Sequence, residues 1–175
     1  MQNLFMAFIF VFLDFTVTLG SIKIGLIPDF VGYLIMLKGL EELAHESTLF
    51  IKVKPFVIGM AGYSAVLYLI DLLGATLSLG FLTYILAFIS MAISLYISYH
   101  IVMGVLEIER NHNTLLNGDS LKSIWTLLAI LNVLTFVTMF ISAIALILII
   151  ISFIIAICFL AAFGKTKNLY YEKVR

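Results

Sequence analysis

Ile144–Phe163 reads IALILIIISFIIAICFLAAF, twenty residues without a charge, a proline or a glycine. A helix rises 1.5 Å per residue, so such a run covers about 30 Å, the thickness of a bilayer's hydrocarbon core. Its apolar residues are continuous. A barrel strand would alternate apolar and polar residues with period two, so a membrane-spanning helix is the reading. Upstream the run continues to Leu121, which makes Leu121–Phe163 apolar for about 64 Å, roughly twice what one span needs. Two spans with a break near Met139–Ser142 satisfy that length.

The whole chain has the same character. Of 175 residues, 63% are hydrophobic and 11% charged, and the mean hydropathy is +1.20. A soluble domain carries about 25% charged residues to coat its core, so here lipid is the solvent for most of the surface. The expectation is an all-α, polytopic transmembrane helical bundle, folded as one integral membrane domain over residues 1–175. Ten basic and ten acidic residues balance, which offers nothing to nucleic acid. Cys158 stands alone in an apolar run and reads as a packing residue.

Six spans follow from the punctuation. The first runs from about Leu4 to Leu19. It lacks the basic start and Ala-x-Ala site of a cleaved signal, so it reads as a retained helix. Gly20–Ile27 connects it to a second helix opened by Pro28-Asp29, where proline presets the helical φ and aspartate favours the positive end of the dipole. This helix covers Pro28–His45, and the polar stretch Glu46–Lys54 ends it. A third span is read from Pro55 to about Leu73, with Gly74–Gly80 as the turn. The fourth runs from Phe81 to about Leu106. Glu107–Ser120 is the most polar loop, with Asp119 or Ser120 as the next cap. An alternative has five spans plus a re-entrant or interfacial second helix and the N-terminus outside.

Basic residues orient membrane proteins by concentrating in cytoplasmic loops. In the six-span arrangement every Lys and Arg except Lys23 falls on one side with both termini. That side is therefore expected to be the cytoplasm, and the C-terminus lies there in the five-span arrangement too.

Charges inside spans are costly and default to functional candidates. Asp14, Asp29 and Asp71 gather at the outer end in this arrangement, with Lys23 beside them. They form a candidate intramembrane polar site that binds a cation or exchanges protons. The structural alternative pairs Asp14 with Lys23 and leaves Asp29 and Asp71 at helix ends. Lys38–Glu42 and Glu41–His45 read as i,i+4 pairs at a solvated helix end. Ser90, Ser94 and Ser98 form an i,i+4 stripe that, with Gly32, reads as a helix-packing face; a pore-lining face is the other reading. His100 and Asn132 are further intramembrane polar residues. His45-Glu46 has no second histidine at zinc-protease spacing, no G-x-S-x-G elbow occurs, and no paired cysteines suggest a metal, so no catalytic residue, metal or cofactor is expected.

The stretch Ile27-Pro28-Asp29-Phe30-Val31-Gly32-Tyr33, followed by Leu34-Ile35 and Gly39-Leu40, resembles a motif of small, mostly uncharacterised multi-pass membrane proteins of Gram-positive-type bacteria. Their second hydrophobic segment opens with a Leu-Pro-Asp-Phe-Ile-Gly-Tyr-like sequence, from which this chain departs conservatively at Ile27 and Val31. The resemblance implies a bacterial cytoplasmic-membrane protein and transfers no activity. On these grounds the expected role is a non-enzymatic accessory, interaction or assembly component. Its partners would be the lipid bilayer and either a second copy or another membrane protein. The alternative is a small proton- or cation-coupled transporter or channel using its intramembrane carboxylates.

Overall fold

The computed structural model describes residues 1–12, 16–19, 22–25, 28–72, 81–138 and 141–174. Six helices are present: α1 (Gln2–Phe12), α2 (Asp29–Leu43), α3 (Thr48–Leu72), α4 (Phe81–His112), α5 (Gly118–Thr138) and α6 (Ser142–Lys173). Each packs on the next in sequence, and α6 returns to touch α1, so the six close into a ring. Four of them, α3 to α6, are long and apolar enough to cross a membrane. The chain is a membrane protein. Its outer surface says the same, since Leu146, Ile147, Ile150 and Ile154 on α6 are each more than half exposed. Water would not tolerate that stripe, whereas acyl chains cover it without cost.

The first third departs from the expected span. The helix predicted to reach Leu19 is described as far as Phe12, and residues 13–15 lie outside the described set. Thr16–Leu19 (β1) instead pairs antiparallel with Ile22–Gly25 (β2), Thr16 opposite Gly25 and Leu19 opposite Ile22. The reason is local. Thr16, Val17 and Thr18 are β-branched in succession, as are Ile22 and Ile24, and a two-residue Gly-Ser sequence between such runs is a hairpin signal. The β2 strand packs on α3.

Helices α1 and α2 form an antiparallel pair held by glycines. A Cβ at Gly39 would lie 2.8 Å from the backbone nitrogen of Leu4, and one at Gly32 would lie 3.0 Å from Phe10 Cβ and Val11 Cγ2. At about 16 Å and 22 Å, neither helix crosses a bilayer by itself; β1 and β2 continue the pair beyond the helices. The Gln2 N–H donates to Tyr171 Oη at 3.2 Å, so the chain's two ends meet at one end of the bundle.

Three helix limits also differ from expectation. The polar stretch 46–54 is not a loop: α3 begins at Thr48, where Ser47 Oγ accepts the Leu49 N–H at 3.1 Å as an N-cap. Pro55 therefore sits inside α3. Helix α4 continues six residues past Leu106, to His112. Helix α5 begins at Gly118 and is capped from another helix rather than by Asp119 or Ser120: Glu109 Oε1 accepts the N–H groups of Leu116 and Gly118. The break between the last two helices falls where it was expected, after Thr138 and before Ser142.

The terminal end of the bundle holds the packed core. Phe50, Val53 and Val57 of α3 meet Ile101, Val105 and Ile108 of α4, all fully buried. A Cβ at Gly104 would lie 2.6 Å from the Phe50 ring. Replacing Gly39 with Ala should destabilise the protein by about 1–3 kcal/mol, because backbone must move to admit the methyl group. Replacing Gly62, around which a Cβ meets nothing within 4 Å, should be neutral or stabilising by up to about 1 kcal/mol. Thermal unfolding in detergent measures both; equal effects would contradict this packing.

A polar cavity within the helix ring

Beyond that core, toward the β1–β2 end, the helices part around a cavity of about 450 Å³. Its walls come from α1 (Val11, Phe12), α2 (Asp29, Tyr33), α3 (Tyr63, Leu67), α4 (Leu86 to Ser98) and α5 (Leu128, Asn132). That volume lies within the range of small-molecule sites. Its lining is unusual for a span interior, because one wall is polar. Asp29 and Tyr33 stand one turn apart on α2, opposite the hydroxyls of Ser90, Ser94 and Ser98 on α4.

These groups are held by a few hydrogen bonds. Tyr33 is buried and shares a hydrogen bond with Ser94, which joins α2 to α4 across the ring. Ser98 Oγ donates to Ser94 O at 2.9 Å and accepts from Trp125 Nε1–H at 2.9 Å, so it joins α4 to α5. Tyr63 Oη donates to Leu86 O at 3.1 Å, between α3 and α4. Asn132 Nδ2 donates to the Leu128 carbonyl of its own helix at 2.8 Å.

On the terminal side the cavity is closed. The next inward turns carry Phe8, Met36, Val57, Ile101, Val102 and Leu121, none more than 1% exposed. That layer of buried side chains bounds the cavity on the terminal side.

The residues singled out from sequence are distributed unevenly around this site. Asp29 lines it. The serine stripe, read as a packing face, forms its α4 wall, and Ser94 and Ser98 also tie α4 to α2 and α5. Gly32 lies outside it, in the close contact of α2 with α1. Asp14 falls outside the described residues. Asp71 is the penultimate residue of α3, and Lys23 lies on β2 opposite Thr18; the described contacts do not extend to either side chain. His100 is not part of the wall: its Nδ1 contacts Tyr96 O at 2.9 Å, between the Tyr96 and Tyr99 rings. Sequence reasoning passed over Tyr33 as a site residue and Tyr63 altogether. Their period relative to Asp29 and the serines is visible only once α2, α3 and α4 are set against one another. Among the described residues no group of three His, Cys, Asp or Glu side chains is placed to hold a metal ion.

A second polar cluster ties the terminal end together. Glu46, in the turn between α2 and α3, takes a hydrogen bond from His112 Nε2 at 2.7 Å and from Tyr170 Oη at 3.2 Å. His45 Nε2 lies 3.3 Å from Glu46 Oε1, the oxygen that Tyr170 bonds, and Asn111 Nδ2 donates to the Glu46 backbone carbonyl at 3.1 Å. The predicted i,i+4 pairs on α2 give way to tertiary ones. Glu41 pairs with Lys54 of α3 at 2.7 Å, and Glu42 bonds Asn3 of α1. Long charged side chains at a helix end reach a neighbouring helix as easily as their own next turn.

Comparison with family models, with curated protein sequences and with solved structures gives no match to this chain.

Burial alone would raise the Glu46 carboxyl, but the hydrogen bonds from His112 and Tyr170, with the charges of His112 and His45, outweigh it and leave the pKa below the ordinary value. A carboxylate with a lowered folded pKa stabilises the fold at pH values above its unfolded pKa, and that contribution disappears as pH falls through the folded one. Stability should therefore decline on acidification below about pH 4.5, the ordinary glutamate value. The Glu46→Gln variant should be less stable at pH 7 and should show a flatter acid limb. Unfolding midpoints between pH 3 and 7 measure the difference; identical acid limbs would remove Glu46 as the cause.

Proposed function

We propose that this protein is a solute-binding membrane protein of the carrier type, and that the cavity between α2, α3, α4 and α5 is its binding site. One observation supports this above others: a carboxylate, two tyrosines, three serines and an asparagine converge on one space inside an otherwise apolar bundle. Polar groups in a span interior are expensive and are retained where they meet a substrate or one another. Asp29 is the one acidic side chain among the described residues of the lining, which favours a ligand group with positive charge or hydrogen-bond donors. The packed layer at the terminal end makes a carrier, which must rearrange to release its solute, a better fit than a channel.

The membrane concerned is taken to be the bacterial cytoplasmic membrane, with both termini inside. The basic residues support that orientation: Lys52, Lys54, Arg110, Lys122, Lys165, Lys167 and Lys173 belong to the helix segments nearest the terminal end, and Lys23 to the hairpin at the other.

Trp125 is the single tryptophan, and its indole donates to a cavity serine, so its fluorescence reports on the cavity. Titrating the protein in nanodiscs with butylamine, tetramethylammonium or glycerol should give a saturable change for at least one of the cations. Asp29→Asn should weaken that response about 10- to 100-fold, the usual effect of losing a charged hydrogen bond. Flat titrations with all three probes, and no gradient-driven uptake of them by proteoliposomes, would sink the proposal and leave the accessory role in its place.

A further inference from the structure

Outside the ring, between α3 and α4, lies an apolar groove of about 240 Å³ lined by Pro55, Phe56, Gly59, Met60, Ile89 and Ile93, together with Tyr63 and Ser90. It falls at mid-span on both helices and faces the bilayer, since Phe56 and Ile89 are 42% and 45% exposed. Gly59 forms part of its floor, and a Cβ there would meet nothing within 4 Å. The groove is therefore a recess from which a side chain is missing.

Tyr63 and Ser90 line both this groove and the polar cavity. The two spaces thus adjoin, with Tyr63 and Ser90 between them. Tyr63 is held in the partition by its hydrogen bond to Leu86 O and by packing of its ring against the core. A polar chamber with a door onto hydrocarbon, and an apolar recess just outside the door, is shaped for a molecule with two ends.

We infer that the ligand is an amphiphile with a single aliphatic chain and a cationic or hydrogen-bonding head, which enters sideways from the bilayer between α3 and α4. Its head sits against Asp29 and Ser94, and its chain leaves past Tyr63 and Ser90 along the Gly59 groove. The inference rests on the solute-binding reading and narrows its substrate class. The continuity of the two spaces through shared residues identifies the groove's occupant as the tail of the cavity's ligand. Moving a chain from lipid into the groove gains little, because lipid is as apolar as the groove. What the groove supplies is a path along which the tail never leaves an apolar medium while the head leaves the interface.

The test compares dodecylamine with butylamine, read by Trp125 fluorescence in nanodiscs of one lipid composition, for the wild type and Gly59→Leu. Leucine at 59 fills the recess from a bilayer-facing position and leaves the cavity untouched. The variant should respond to butylamine like the wild type and should lose about tenfold or more in its response to dodecylamine, the expected result of occluding a close aliphatic contact. An unchanged dodecylamine response in Gly59→Leu would overturn the sideways route. If the variant loses both amines, Ile89→Phe, which narrows the groove from α4, is judged by the same comparison; loss of both amines there as well would overturn the inference. A wild type that answers neither amine would instead remove the binding reading beneath it.

Discussion

Hydrocarbon offers a peptide group no hydrogen-bond partner, and that constraint organises this molecule. Each N–H and C=O between the two faces of the bilayer must be satisfied by the chain itself. Four helices, α3 to α6, meet the demand in the simplest way, over lengths of about 31–48 Å. The first two helices, α1 and α2, are shorter, and the strand pair β1–β2 lies between them in the chain, with α3 packed against β2. A two-stranded ribbon leaves edges that lipid cannot satisfy, so this irregular segment belongs near the interface or against protein, and α3 supplies the second of these.

Given that solvent, the interior is sorted by end. Toward the termini, large aliphatic and aromatic side chains close the ring, with Gly104 seating Phe50 and Gly39 seating Leu4. There the charged residues lie outside the apolar layer and join the ends of α1, the α2–α3 turn, α4 and α6 through Glu42, Glu46, His112 and Tyr170. Toward the hairpin, the same ring is lined by smaller and more polar residues. Serine at positions 90, 94 and 98 removes side-chain volume from one face of α4, and volume removed from a ring of six helices is space. The cavity thus follows from side-chain size as much as from polarity. The hydroxyls left on its wall keep the space from being merely a packing fault.

The legible and illegible parts of the site divide along a physical line. Asp29 stood out because a charge in a membrane segment is conspicuous in any sequence. The serine stripe stood out because helical spacing puts 90, 94 and 98 on one face. Spacing alone, however, cannot tell a face that closes on a neighbour from one that opens on a void, and the close-packing reading came first. Tyr33 entered only as the end of the Ile27–Tyr33 motif and Tyr63 not at all, since tyrosine is common near membrane surfaces. Likewise Glu46 had no visible partner, because His112 and Tyr170 lie 66 and 124 residues away along the chain.

Composition and hydrophobic run lengths, by themselves, determined the solvent, the helical class, the break between α5 and α6 and the lopsided placement of basic residues. Those properties depend on sums over many side chains, and no contact with another segment changes them. Tertiary structure alone decided that the α4 serines border a cavity as well as neighbouring helices, and that Tyr63 lines both the polar and the apolar space. Such outcomes turn on single distances between helices, and a glycine or a serine on the opposing element shifts those distances by the width of a side chain.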